Sequence, residues 1–205
     1  MNEMLLGIKI YIVVIFFAVF FLSLFGFQLY IKNRTGESLT GTIDFNSIPS
    51  HLRWLPIVAS ISLVWMLAYA GIFIFQPHIQ NSYLPITALQ VDSIVIFGCV
   101  LVVLGLIVMV VSQFQLGLSY RVLLASGKTE LVTKGLYAIS RNPLYMGSSV
   151  AFTGLLLIIP SWIFLLCLVL VLVNNHFRIR EEERFLTERF GEVYLDYCRR
   201  VNRYF

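Results

Sequence analysis

The sequence contains four long apolar runs, which are separated by polar segments. They cover residues 8–30, 55–75, 93–111 and 144–173. Each of the first three has about the twenty residues that a helix needs to cross the roughly 30 Å apolar core of a bilayer. The pattern therefore predicts an all-α polytopic membrane protein, in which helices cross the bilayer and polar segments connect them.

The last apolar run is too long for a single span. As one helix, its roughly thirty residues would extend about 45 Å, at roughly 1.5 Å per residue. Pro160 lies near the middle of the run, and a proline ends or kinks a helix. We therefore predict two spans that form a hairpin at Pro160, the second of which continues into the polar segment after Val173. Such a hairpin brings the polar clusters at its two ends, residues 141–147 and 178–183, to one side of the membrane.

The positions of the basic residues favour five spans over four. Of the 15 Lys and Arg residues, all except Lys9 lie in residues 31–53, 112–143 or 174–205. With five spans and the N-terminus outside, these three segments lie in the cytoplasm, as the positive-inside rule requires. With four spans, the basic tail would lie on the opposite side from the other two segments. We therefore expect a cytoplasmic C-terminus, and we place the polar clusters of the hairpin on the cytoplasmic side.

Composition agrees with a membrane protein. Charged residues make up 13% of the 205 residues and apolar residues 59%, whereas soluble domains have about 25% charged residues. The length predicts one membrane domain over residues 1–205, with three spans in 1–111 and the motifs described below in 112–205. Residues 120–132 are expected to form a small hairpin at the membrane surface. The Cys and His spacing matches no metal site, and the basic residues lie beside spans, so we expect no metal and no nucleic acid as ligands.

The polar end of the fifth predicted helix holds residues that can carry chemistry. Asn175, Arg178 and Glu182 lie on one face if the helix continues beyond the apolar run. Glu182 can bind a cation and Arg178 an anion. The same residues also fit a solvated helix end with ion pairs worth about 0.3–0.5 kcal/mol. Arg141 likewise fits either a site or an anchor whose charged end reaches the lipid headgroups.

Two motifs, taken together, resemble the isoprenylcysteine carboxyl methyltransferase family, within a wider superfamily that includes phospholipid methyltransferases. The first is L-V-x-x-G-x-Y-x-x-x-R-N-P-x-Y-x-G over residues 131–147. The second is R-I-x-x-E-E over residues 178–183, followed by F-G-x-x-Y-x-x-Y over 190–197. Order and spacing both match, and the resemblance covers roughly residues 114–203. The first three predicted spans carry no family pattern.

The resemblance implies an enzyme that uses S-adenosyl-L-methionine and builds its site from the last two spans. The cofactor-binding residues that it implies are Leu131, Val132, Tyr137, Asn142, Pro143, Leu144, Tyr145, Glu182 and Glu183. It implies that Arg178 meets the substrate, and Arg141 is a second candidate for this catalytic role. Asn142 stands where the family has His, and Asn can form hydrogen bonds but cannot carry a proton. We also expect backbone N–H groups at the Gly135 and Pro143 turns to bind the carboxylate of the cofactor.

The expected reaction is methyl transfer to the carboxylate of a lipophilic isoprenylcysteine-type substrate, either a small molecule or a prenylated partner, which enters from the membrane lipid. A carboxylate is already a nucleophile, so the protein must align the two reactants and needs no strong base. Three alternatives stay open from the sequence. They are a phospholipid amine N-methyltransferase, an NADPH-dependent isoprenoid- or sterol-type reductase, and a non-enzymatic membrane scaffold.

Overall fold

The chain folds into helices, as its hydrophobic pattern predicts. A computed structural model describes residues 3–35, 53–76, 84–117 and 130–204, and these residues contain isolated β-bridges but no strand. The helices are α1 (Glu3–Phe21), α2 (Phe27–Thr35), α3 (Trp54–Phe75), α4 (Asp92–Leu116), α5 (Pro143–Ile158), α6 (Trp162–Phe190) and α7 (Glu192–Arg200). A π-helical turn, Leu22–Gly26, joins α1 to α2, and short 3₁₀ turns lie at Thr87–Leu89 and Gly135–Ala138.

Three of the described helices, α1, α4 and α6, are long and apolar enough to cross a membrane. Two shorter apolar helical segments, Ser60–Phe75 of α3 and Pro143–Ile158 of α5, accompany them. These five segments overlap the five predicted spans. Length and composition show that these helices are able to cross a membrane. The number of crossings and the external N-terminus stay predictions.

Two predicted boundaries are wrong, and the predicted surface hairpin lies largely outside the described residues. The segment expected to be a loop from residue 31 is helical as far as Thr35. Helix α4 continues to Leu116, although the apolar run ends at residue 111. Two polar residues of its last turns, Ser112 and Gln113, are buried, and Gln113 donates from Nε2 to the carbonyl oxygen of Ser23 at 2.7 Å, inside the π-helical turn. A polar side chain with a partner inside the bundle extends the helix beyond the apolar pattern.

The chain folds back at Pro160, as predicted. Ile159 leaves the helical conformation, because the residue before a proline is disfavoured in it, and α6 begins at Trp162. The connector between α3 and α4 holds this turn. The N–H of Ile86 donates to the carbonyl of Pro160 at 3.1 Å, and the N–H of Trp162 donates to the carbonyl of Leu84 at 3.0 Å. The turn is therefore fixed by backbone hydrogen bonds at the end of the hairpin opposite to the polar clusters.

Small residues let α4 and α5 pack backbone against backbone. A Cβ atom placed on Gly105 would lie 2.5 Å from the backbone nitrogen of Ala151 and 2.6 Å from the carbonyl oxygen of Gly147. A Cβ atom on Gly154 would lie 2.6 Å from the carbonyl oxygen of Gly98. Ala151 and Gly154 therefore serve in helix packing, where small residues let two backbones approach closely. This contact sets the position of the first turn of α5, which carries part of the first motif.

Candidate active site

The two motifs meet where α5 begins and α6 leaves the apolar run. Helix α6 continues without interruption through its polar end, so Arg178 and Glu182 lie one turn apart on the same face. The hydroxyl of Tyr145, in the first turn of α5, donates to Oε1 of Glu182. The guanidinium of Arg178 lies close enough to interact electrostatically with both Tyr145 and Glu182. Three of the predicted site residues therefore form one cluster.

Glu183 forms a second cluster, and both of its carboxylate oxygens are engaged. Its Oε1 pairs with Arg141 Nη2 at 3.1 Å and accepts from Asn142 Nδ2 at 3.4 Å. Its Oε2 accepts from Arg203 Nε at 2.8 Å and Nη2 at 2.7 Å. The hydrogen bond to Glu183 raises the pKa of the Arg203 guanidinium. Arg141, Asn142 and Glu183, which the motifs singled out, are thus brought together with Arg203.

The C-terminal segment, residues 201–204, lies across the ends of α5 and α6. Its backbone pairs with the loop before α5, where the N–H of Arg141 donates to the carbonyl of Asn202 at 3.0 Å. The carbonyl of Arg203 accepts from Asn142 Nδ2 at 3.2 Å. Tyr204 reaches α6, where its hydroxyl lies 2.5 Å from Nδ1 of His176. The segment therefore ties the two ends of the hairpin together.

The remaining residues of the first motif form the Gly135–Ala138 turn and its approach. Leu131 and Val132 are half-buried just before this turn, and Tyr137 is buried within it. Tyr197 of α7 donates from its hydroxyl to the carbonyl of Tyr137 at 2.6 Å. Burial of Tyr197 raises its pKa to about 12, so that the hydroxyl stays protonated as a donor. Helix α7 thus fixes the turn through its buried tyrosine face.

The expectation that N–H groups near the Gly135 turn bind a carboxylate stays a prediction, and several of these groups already donate to acceptors within the protein. The backbone N–H groups that donate hydrogen bonds here are those of Leu136, Tyr137, Ile139, Ser140, Arg141 and Asn142. The start of α5 differs. The side chain of Asn142 does not cap this helix, and its Nδ2 donates to Glu183 and to the carbonyl of Arg203. Among the described residues, no acceptor binds the N–H groups of Leu144 and Tyr145 at the positive end of α5.

The Tyr145–Glu182–Arg178 cluster fits the amino-acid end of S-adenosylmethionine. Tyr145 occupies one oxygen of Glu182, and the second oxygen has no hydrogen-bond donor among the described residues. Glu182 and Arg178 are both half-buried, and such a pair of opposite charges matches an ammonium and a carboxylate. The described residues include no group of three or more His, Cys, Asp or Glu side chains placed to hold a metal ion.

Comparison with known proteins gives three matches. Residues 93–193 match the Phospholipid methyltransferase family. The protein-S-isoprenylcysteine O-methyltransferase of Saccharomyces cerevisiae is 31% identical over 110 residues, which are 52% of this chain and 46% of the yeast protein. A solved structure of the eukaryotic intramembrane Ras methyltransferase ICMT (isoprenylcysteine carboxyl methyltransferase) matches with a TM-score of 0.57 and 24% identity, over 94% of this chain and 65% of that chain.

These matches confirm the resemblance that the motifs indicated. The matched family segment runs from α4 into α7, so it includes the hairpin α5–α6 and the residues of both clusters except Arg203. The chain spans less than two thirds of the length of either relative. It is an integral membrane protein with the fold of isoprenylcysteine carboxyl methyltransferase, and its residues 93–193 are similar to the phospholipid methyltransferase family.

Proposed function

We propose that this chain is an S-adenosylmethionine-dependent methyltransferase that acts within the membrane on the carboxylate of a lipophilic isoprenylcysteine-type substrate. The observation that carries the proposal is the Tyr145–Glu182–Arg178 cluster at the polar end of the hairpin. It combines an anionic and a cationic side chain beside a helix N-terminus, at the border of an apolar bundle. The names of both relatives, each an isoprenylcysteine methyltransferase, support the same reaction class.

In this proposal, the first turn of α5 and the polar end of α6 hold the cofactor. Glu182 binds its ammonium group, and the N–H groups of Leu144 and Tyr145 face its carboxylate. The other motif residues that enclose it are Leu131, Val132, Tyr137 and Pro143. When bound, S-adenosylmethionine supplies an electrophilic methyl group on a sulfonium.

Arg178 binds and orients the substrate carboxylate in the same proposal. A guanidinium can hold a carboxylate through two parallel hydrogen bonds, and alignment of two reactants can be worth about 7–11 kcal/mol of a barrier. Asn142 in place of the family His is compatible with this reaction, because a carboxylate acceptor needs no proton removed. Arg141 is paired with Glu183, so we assign it to positioning the loop before α5. The basic segments favour a site that faces the cytoplasm.

Replacement of Glu182 with Ala should weaken the binding of S-adenosylmethionine at least tenfold, because the ammonium group loses its carboxylate partner. Tyr145→Phe should cause a smaller loss, since only the hydroxyl that orients Glu182 is removed. The measurement is a titration of the purified chain with labelled S-adenosylmethionine. Glu188→Ala is the matched control, because the Glu188 side chain is 70% exposed on the same helix. Unchanged affinity in Glu182→Ala would contradict the assignment of Glu182 to the cofactor site.

The family match favours one second candidate, a phospholipid amine N-methyltransferase. An amine must lose a proton before it can attack, whereas a carboxylate need not. We expect the purified chain to methylate a prenylcysteine analogue and to leave phosphatidylethanolamine unmodified, with product identified by mass spectrometry. Methylation of phosphatidylethanolamine alone, at a rate that rises with pH, would establish the second candidate instead.

A further inference from the structure

A polar pocket of about 630 Å³ lies on a part of the molecule that the proposed reaction does not use. It is formed by the polar end of α6, by α7, by the C-terminal segment and by Arg141 of the loop before α5. The lining residues that matter are Arg141, Arg180, Glu181, Glu183, Arg184 and Arg203. A volume of this size suits a small molecule or a lipid headgroup, since ligand pockets usually measure about 300–1,000 Å³.

The pocket is on the side of α6 that faces away from the candidate active site. The α6 residues that line it include Phe177, Arg180, Arg184 and Thr187, whose spacing of three and four places them on one face. None of Tyr145, Arg178 and Glu182 lines this pocket. Helix α6 therefore presents one polar face to the proposed cofactor and another to this pocket.

The lining of the pocket carries excess positive charge. It contains four arginines and two glutamates. Glu183 is held by Arg141 and Arg203, and Glu181 is paired with Arg184 at 3.2 Å. Arg180 is exposed and has no ion pair among the described residues. Because both glutamates are already neutralised, the pocket favours an anionic ligand, with Arg180 as the available guanidinium.

The depth of Arg180 along α6 places the pocket at the membrane surface. Arg180 follows the first residue of α6, Trp162, by about 27 Å at roughly 1.5 Å per residue. This distance is close to the roughly 30 Å thickness of the apolar core, beyond which the headgroups lie. We propose that the pocket binds a phosphate-bearing anion at this surface. Arginine suits such a ligand because its planar fork of donors matches phosphate oxygens.

Three ligands separate the possible sources of the phosphate. The purified full chain in detergent is titrated with dioctanoyl phosphatidylglycerol, with glycerol 3-phosphate, and with dioctanoylglycerol, and binding is measured by microscale thermophoresis. Saturable binding of the phospholipid alone assigns the site to a lipid headgroup. Comparable binding of glycerol 3-phosphate assigns it to a soluble phosphate. Equal binding of dioctanoylglycerol, which has no phosphate, overturns the proposal.

Arg180→Gln should weaken binding of the phosphate-bearing ligand about tenfold, because the unpaired guanidinium is removed. Arg200→Gln is the matched control: it removes the same charge from an exposed position on α7 that does not line the pocket. Equal losses in the two variants would overturn the proposal, since net charge and not the pocket would then be responsible.

The same variants separate this proposal from the proposed methyltransferase function. S-adenosylmethionine should bind Arg180→Gln as tightly as it binds the unmodified chain. If the unmodified chain bound the phospholipid but no S-adenosylmethionine, the proposed function would fail and the anion site would stand. If Arg180→Gln weakened both ligands and they competed, the pocket would belong to the cofactor site, and the anion proposal would be overturned.

Discussion

Replacement of Gly105 with Ala is expected to destabilise the protein more than any other single methyl addition to its described glycines. The added Cβ would lie 2.5 Å from the backbone nitrogen of Ala151, 2.6 Å from the carbonyl oxygen of Gly147 and 2.8 Å from the Cβ of Ala151. Two of these atoms belong to the backbone of α5, so no side chain can turn away to make room. Overpacking of a core costs about 1–3 kcal/mol, and we expect the upper end of this range.

The measurement is thermal unfolding of the purified chain in detergent. Gly71→Ala in α3 is the matched control, because a Cβ atom there would meet nothing within 4 Å. Alanine is also the better helix former, so this control should unfold at the same temperature or slightly higher. Equal stability of Gly105→Ala and Gly71→Ala would show that α4 and α5 are not in backbone contact.

The close contact of α4 and α5 also bears on function. Gly147 lies two residues after Tyr145, in the turn of α5 that contacts the backbone of α4 at Met109. A forced separation of the two helices would shift the Tyr145 hydroxyl away from Glu182 on α6. We therefore expect Gly105→Ala, in any fraction that folds, to bind S-adenosylmethionine less tightly than Gly71→Ala does.

Features encoded by local sequence could be predicted, and the hairpin is the clearest of these. Pro160 ends a helix through its own covalent geometry, so a break within the long apolar run could be inferred without knowledge of any partner. The helical period then placed Arg178 and Glu182 on one face, and the fold-back brought this face to Tyr145. Gly147, Ala151 and Gly154 recur on one face of α5, and from this spacing Ala151 and Gly154 could likewise be assigned to packing.

Features that depend on distant partners could not be predicted. Arg203 is one of seven arginines after residue 173, and nothing in its neighbourhood marks it as the partner of Glu183. The end of α4 was missed for the same reason, since Gln113 is buried against Ser23, 90 residues away. Sequence reasoning treated polar residues at span ends as solvated, whereas these are paired inside the protein.

Glu183→Gln is expected to lower the free energy of unfolding by about 3 kcal/mol, because it leaves buried positive charge without a partner. The side chains of Arg141 and Glu183 are each 11% exposed. Nε of Arg141 is already buried without an acceptor among the described residues. Among the described residues, this guanidinium would then have the neutral amide oxygen of the glutamine and a long contact of 3.5 Å to the carbonyl of Cys198, and no anionic partner. The measurement is denaturant or thermal unfolding, with the exposed Glu188→Gln as control.

Comparison with Arg203→Gln tests whether Glu183 is a structural tie or a direct cofactor ligand, as its motif implies. Arg203→Gln should cost less stability, since the Arg203 side chain is 37% exposed and Glu183 would keep Arg141 and Asn142. If the role of Glu183 is structural, Glu183→Gln loses stability. Its affinity for S-adenosylmethionine then falls only because the start of α5 and the polar end of α6 move apart. If Glu183 instead contacts the cofactor, affinity falls at least tenfold while stability stays at that of Glu188→Gln. Since both oxygens of Glu183 are engaged by neighbouring side chains, we expect the first outcome.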